Sequence, residues 1–183
     1  MLVASEGEHT LVPGSDGGLR ADFQNPATFI QKVVRAHRDR PIAAVVATDD
    51  ATVEIANQAA AALGLAHNAP LAPRIARRKD LSRTTLAAAG LPVPETHLVD
   101  LRLPLGPQLT AVTFPCVSKP LAMSASRGVI RADDARGLED ACRRAGMIAA
   151  AAGAEEPDAV LVESFVPGPE IALEGMLSDG ELS

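Results

Sequence analysis

Apolar positions recur along the chain with two different spacings, and the spacing separates helices from strands. Residues 28–38 predict a helix, with Phe29, Val33 and Ala36 along one side. Residues 42–47 (IAAVVA) form an unbroken apolar run of the kind a buried parallel strand shows. The run ends in Thr48, Asp49 and Asp50, and TVEIANQAAAALGL follows. Asp50 can cap a helix there and Gly64 can close it. Strand, acidic turn and capped helix together predict one βα unit of a doubly wound sheet. Before it, residues 13–25 carry Gly, Asp and Pro and predict a loop, and residues 2–4 are too short to assign.

A proline-punctuated connector follows Gly64 and leads into RRKDLSRTTLAAAGLPVP. Leu81, Thr85 and Ala88 repeat at helical spacing, Gly90 ends that helix, and Pro92 and Pro94 prevent its continuation. Residues 102–113 have the composition of a linker. Beyond them the pattern changes. Residues 114–120 predict a short strand bounded by prolines, residues 123–128 a loop of small residues, and residues 129–131 a second strand. A helix over about residues 134–152 buries Leu138, Cys142, Ala145 and Ala149. Residues 159–163 predict another strand. Residues 170–177 alternate, with Ile171, Leu173 and Leu177 on one face. The domain boundary is placed in the connector, giving domains 1–72 and 73–183, and the class is mixed α/β and α+β.

Composition narrows the functions. Net charge is −6, which argues against nucleic acid or anionic lipid as the dominant partner. Four Phe and no Tyr or Trp leave little to stack on single-stranded bases. No basic segment followed by an apolar one opens the chain and no apolar run could span a bilayer, so the expected location is cytoplasmic. Cys116 and Cys142 are expected as buried thiols in a reducing compartment. His9, His37, His67 and His97 show no metal-ligand spacing. Only Lys32, Lys79 and Lys119 of the 17 basic residues are lysines, which directs attention to each of them.

Neither GxxxxGK[ST] nor GxGxxG is present. What remains is the ordered series RRKDLSRTTL, FPCVSKP, MSASRGVIRA and LVESFVPGPEIALEG. A lysine ending an apolar strand, as Lys119 does, must snorkel to solvent or meet an anion. Small residues at 124–128 let backbone N–H groups approach phosphates, and the hydroxyls of Ser124 and Ser126 add donors. In order and spacing this series resembles the ATP-grasp family, of the biotin-carboxylase-like and carboxylate–amine ligase type, from about residue 40 to the end.

The resemblance implies a partial doubly wound (pre-ATP-grasp) domain, then the first ATP-grasp lobe and the start of the second. It implies that Lys79 and Lys119 are directed at nucleotide phosphates, with Ser124, Ser126, Arg127, Gly128 and Val129 forming the phosphate loop. Family members often carry more glycines there, so this loop is stiffer. Glu163, the Ser164 carbonyl, Phe165 and the Val166 amide match the adenine-binding connection, and Glu170 matches the acid that accepts from the ribose hydroxyls. Glu174 is given no role, and Asp49 and Asp50 are candidates for substrate contact at the end of their strand. The implied function is the ATP-binding part of an ATP-dependent carboxylate–amine or carboxylate–thiol ligase acting through an acyl phosphate. ATP and Mg²⁺ are the implied cofactors, small carboxylates and amines the substrates. The alternative is a nucleotide-binding module without chemistry. No residue of the chain is assigned a catalytic or metal-ligating role: Mg²⁺-binding acids are expected outside it, on a complementary C-terminal polypeptide, with a homo-oligomer as the other expected partner. The chain is therefore expected to be a fragment, inactive alone.

Overall fold

The computed structural model describes residues 2–5, 17–23, 25–173, 175–178 and 180–182. His9, Glu174 and Asp179 lie outside the described residues. The chain divides into two compact units, one of Met1–Val93 with Leu121–Arg127 and Ala154–Glu156, the other of Pro94–Pro120, Gly128–Gly153 and Pro157–Ser183.

In the first unit β1 (Leu2–Ser5) runs parallel to β2 (Gly17–Arg20), from Leu2 opposite Gly17 to Ser5 opposite Arg20. Helix α1 (Pro26–Asp39) begins where the Asn25 side chain accepts from the Thr28 N–H at 3.3 Å. Its first residue is a proline, which loses no helix bond at that position. Phe29 and Val33 are buried as expected, and Phe23 meets Phe29 edge-on at 5.4 Å.

Residues 42–47 form no strand. Only Ile42 and Val45 pack on the Phe29 cluster, while Val46 is 80% exposed. A contact spacing of three residues is not the alternation of a strand, and no ladder holds the segment among the described residues. The acidic turn also differs in detail. The Asp49 carboxylate, and not Asp50, accepts from the N–H groups of Ala51 (2.9 Å) and Thr52 (3.1 Å). Helix α2 (Val53–Ala62) then closes as expected. Gly64, at φ +68°, lets its own N–H reach Ala61 O and the Leu65 N–H reach Ala60 O, both at 3.0 Å. Helices α3 (Ala72–Arg77) and α4 (Lys79–Ala88) complete the unit. The Leu81, Thr85, Ala88 stripe is not a buried face: Thr85 and Ala88 are exposed, and one leucine in three positions buries too little to seat a helix.

The second unit is built on a four-stranded antiparallel sheet in the order β3 (Thr96–Asp100), β6 (Ala159–Ser164), β4 (Cys116–Pro120), β5 (Ile130–Ala132). Strand β3 was not expected from its short, mixed sequence. Residues 102–113 are no linker either, since they hold α5 (Leu105–Leu109), whose Leu105 and Leu109 are buried one turn apart. The Gln108 amide accepts from the Asp100 N–H and donates to the Asp100 carbonyl, each at 2.9 Å, and so continues the β3 ladder with a side chain.

Helix α6 (Ala135–Ala151) starts where Asp134 accepts from the Gly137 N–H at 2.7 Å. Its Leu138, Cys142, Ala145 and Ala149 are all buried, as the spacing predicts. Leu138, Ala141, Cys142 and Ala145 pack against Val99, Cys116, Ala132, Val160 and Val162, the inward residues of the four strands. By the two-residue period, Val117, Lys119, Arg131, Leu161 and Glu163 belong to the opposite face. The sheet thus has one hydrocarbon face and one that carries charge.

Residues 170–176 form no strand among the described residues, and Ile171 and Leu173 are 88% and 85% exposed. Alternation alone does not make a strand without a ladder partner. Beyond them β7 (Leu177–Ser178) and β8 (Glu181–Leu182) pair, antiparallel, as two-residue strands. Among the described residues no helix is long and apolar enough to cross a membrane.

Both thiols are free and buried, and burial pushes the Cys116 thiol up to about 11 from an ordinary 9.0. The unfolded chain therefore releases this proton first, and stability falls as pH rises from 9 towards 11. Urea denaturation at pH 8 and pH 10.5 is expected to show a loss about 2 kcal/mol larger for the wild type than for Cys116→Ala. Equal losses would place the thiol elsewhere.

Candidate functional site

The charged face of the second unit is assembled from cross-strand register. Lys119 on β4 pairs with Leu161 and Glu163 on β6 pairs with Val117, so the two are diagonal neighbours on one face. Their side chains form an ion pair, 15% and 4% exposed respectively. A buried pair of this kind is held by mutual neutralisation, so removing one partner costs more than the pair itself contributes.

The segment leaving β6 is clamped on both sides. The Ser164 N–H donates to Glu95 O at 3.0 Å and the Ser164 hydroxyl accepts from the Glu95 N–H at 3.2 Å. The Phe165 N–H donates to Pro115 O at 3.0 Å. The Phe165 ring lies beneath the Arg131 guanidinium, 4.4 Å from its centroid. Val166 is 67% exposed, and Glu170 lies exposed in the irregular segment that follows.

Gly128 and Val129 lead into β5. Gly128 has φ +74°, and a Cβ there would sit 2.8 Å from Cγ of Pro120, so both the backbone and the space demand glycine. The second unit therefore brings together Lys119, Glu163, Ser164 and Phe165, with Arg131 joining them.

The remaining expected residues lie in the first unit. Lys79 opens α4, its N–H donating to Leu121 O at 3.0 Å and its ammonium to Met123 O at 2.6 Å. The loop that follows is strained. Ala125 and Ser126 have φ of +55° and +54° in succession, and the Arg127 N–H reaches Ser124 O at 3.3 Å across them. A turn with two positive central φ values normally uses Gly or Asn. Such strain concentrates at ligand clamps. Ser126 and Arg127 are exposed and Ser124 is half-buried.

Arg131, Glu95 and Pro115 were not singled out from sequence. Arg131 could have been found, because the hairpin of β4 and β5 sets it opposite Val117 and hence on the Lys119 face. Nothing local marks Glu95, whose contact spans 69 residues. Among the described residues no group of three or more His, Cys, Asp or Glu is arranged to hold a metal ion.

The family model of the ATP-grasp domain matches residues 112–183, the stretch that carries Lys119, Arg131 and Glu163 to Glu170. The fold of the chain is also that of solved ATP-grasp enzymes. L-amino acid ligase from Bacillus licheniformis superposes with a TM-score of 0.73 at 23% identity, over 93% of this chain and 39% of that one. N5-carboxyaminoimidazole ribonucleotide synthetase, solved with ADP, gives 0.66 at 16% identity, over 91% and 40%. Biotin carboxylase from Campylobacter jejuni, solved as an ATP complex, gives 0.64 at 15%, over 91% and 39%. The chain spans about two fifths of the length of each. No curated protein matches the sequence. The chain resembles the ATP-grasp family in sequence over residues 112–183 and in fold over nearly its whole length.

Proposed function

We propose that this chain is the ATP-binding part of an ATP-dependent carboxylate–amine ligase working through an acyl phosphate, with domains 1–72 and 73–183. The observation that carries the reading is the buried Lys119–Glu163 pair on the charged sheet face, together with the Phe165–Arg131 stack. Within the matched segment, these groups offer a cation for phosphate, a carboxylate for an exocyclic amine and a ring for a base.

In this reading Lys119 turns its ammonium from Glu163 to phosphate oxygens when nucleotide binds. That exchange lets the Glu163 carboxylate accept from the adenine amine. The Ser164 carbonyl and Val166 amide pair with the base edge and Phe165 covers its face. Glu170 accepts from the ribose hydroxyls. Lys79 and residues 124–129 are assigned to phosphates on the resemblance, the strained turn presenting its N–H groups. Mg²⁺ would neutralise the transferring phosphoryl, and the described residues supply no donor set for it. A substrate carboxylate oxygen attacks the γ-phosphorus and ADP leaves. An amine then attacks the acyl carbon and inorganic phosphate leaves.

Calorimetric titration with ATP and with adenosine tests the assignment. Lys119→Met is expected to weaken ATP by about 1.5 to 3 kcal/mol, the range for a charge-assisted contact, and adenosine by much less. Equal losses would remove Lys119 from the phosphates. ATP binding without phosphate release in the presence of carboxylates and amines would favour a nucleotide-binding module without chemistry.

A further inference from the structure

Strands β5 and β6 lie on either side of β4, and Val117 of β4 pairs with Arg131 on one side and with Glu163 on the other. These three residues share the charged face, and Phe165, two residues beyond Glu163, continues it. Backbones two strands apart are separated by roughly 10 Å, a gap that a side chain as long as arginine can span. The Arg131 guanidinium crosses it and rests 4.4 Å from the centre of the Phe165 ring. Arg131 has no part in the nucleotide site proposed above.

The stack is held from both ends. Asp133 Oδ1 accepts from Nε of Arg131 at 3.0 Å and from Nη2 at 2.8 Å, which fixes the guanidinium. The Phe165 N–H donates to Pro115 O, and Ser164 before it is tied to Glu95 through both its backbone and its hydroxyl. The backbone beneath the ring is therefore set, and what Arg131 adds is the rotamer of the ring. The contact does little for folding, because the Arg131 and Asp133 side chains are 50% and 71% exposed, where an ion pair contributes little. A half-buried phenyl ring without the guanidinium has other staggered χ1 wells open to it. A ring already held in one well loses no such freedom when a ligand arrives, and preorganisation of this kind raises affinity.

We infer that Arg131 is a positioning residue for the nucleobase: through its cation–π contact it holds the Phe165 ring in the orientation that covers the base, and it touches neither base nor phosphate itself. The inference rests on the ATP assignment, because Phe165 meets a base only where a nucleotide binds on this face. Acting through the ring, Arg131 contributes equally to every ligand that carries adenosine. A guanidinium that reached phosphate would favour ATP over adenosine.

Calorimetric titration of the 183-residue chain with adenosine and with ATP tests it. Arg131→Met and Arg131→Gln, which lack the cation, are expected to bind both ligands about threefold more weakly, by the same factor for each, as three staggered wells replace one. Arg131→Lys keeps a cation over the ring and is expected to bind better than Arg131→Met. In a Phe165→Leu background Arg131→Met should change neither affinity, because the ring through which it acts is gone. Circular dichroism should show both cation-free variants folded, and one that folds is enough for the comparison. Loss of the fold in both would make Arg131 a structural residue and overturn the inference. So would unchanged adenosine affinity, a larger loss for ATP than for adenosine, Arg131→Lys no better than Arg131→Met, or an undiminished loss in the Phe165→Leu background. Each of these leaves the ATP assignment standing, whereas a wild-type chain that binds neither ligand would overturn both.

Discussion

Lys119→Met is expected to lower folding stability by about 3 kcal/mol at neutral pH, near the lower end for breaking a buried ion pair. The methionine keeps the apolar stem of the lysine, so little packing is lost, and what is removed is the ammonium that faces the buried Glu163 carboxylate. Glu163 is only 4% exposed on its side chain and cannot regain the hydration it gave up. The opposite deletion is milder. Glu163→Gln leaves Lys119, which at 15% exposure has a path to solvent for a mobile ammonium, and about 1 to 2 kcal/mol is expected. In the double variant no charge is stranded, and most of the Lys119→Met loss should return. Urea denaturation of the four proteins measures the coupling. Strict additivity would mean that the two groups do not interact in solution.

The same pair shows why the site was partly legible from sequence. Lys119 was named because it ends an apolar strand, where the polar end of its side chain must reach an anion or water, and Glu163 was named from the resemblance of LVESFV to the family's adenine-binding connection. Their direct contact was not legible. It follows from the antiparallel register of β4 and β6, which depends on residues 44 positions apart. Arg131 was hidden for the same reason, and Glu95 more so.

The fold divides along a similar line. Helix α6 was predicted with its boundaries and four buried positions because a long amphipathic repeat runs through it. Residues 42–47 failed because an apolar, alanine-rich run is compatible with strand, helix or coil, and only a ladder partner decides. Residues 170–176 failed in the same way among the described residues: alternation is necessary for a half-buried strand and does not create one. Residues 102–113 erred in the other direction. Pro, Gly and Thr made them resemble a linker, yet Leu105 and Leu109 at helical spacing were enough to anchor a short helix on the core.

A comparably large effect is expected where the core has no room at all. Gly146 lies buried in α6, and a Cβ built on it would sit 2.2 Å from Cδ1 of Leu101 and 3.1 Å from the Pro157 carbonyl oxygen. The leucine tip can swing aside, but the carbonyl belongs to the backbone just before β6 and moves only with the strand. For Gly146→Ala two effects oppose each other. Removing a glycine from a helix interior favours the fold by about 1 kcal/mol, while crowding Leu101 and Pro157 costs about 1 to 3 kcal/mol. A net loss of about 1 kcal/mol is expected. Gly146→Val adds two further methyl groups and a β-branched side chain, so crowding dominates and about 3 kcal/mol or more should be lost. Leu101→Ala made together with Gly146→Ala removes the nearer obstacle, and the pair should then be less destabilising than the sum of the two single changes. Denaturation midpoints for the four variants and the wild type decide the matter. A Gly146→Val protein that unfolds at the wild-type midpoint would mean that α6 does not press on Leu101 and Pro157, and that the helix packs on the sheet less closely than its buried glycine requires.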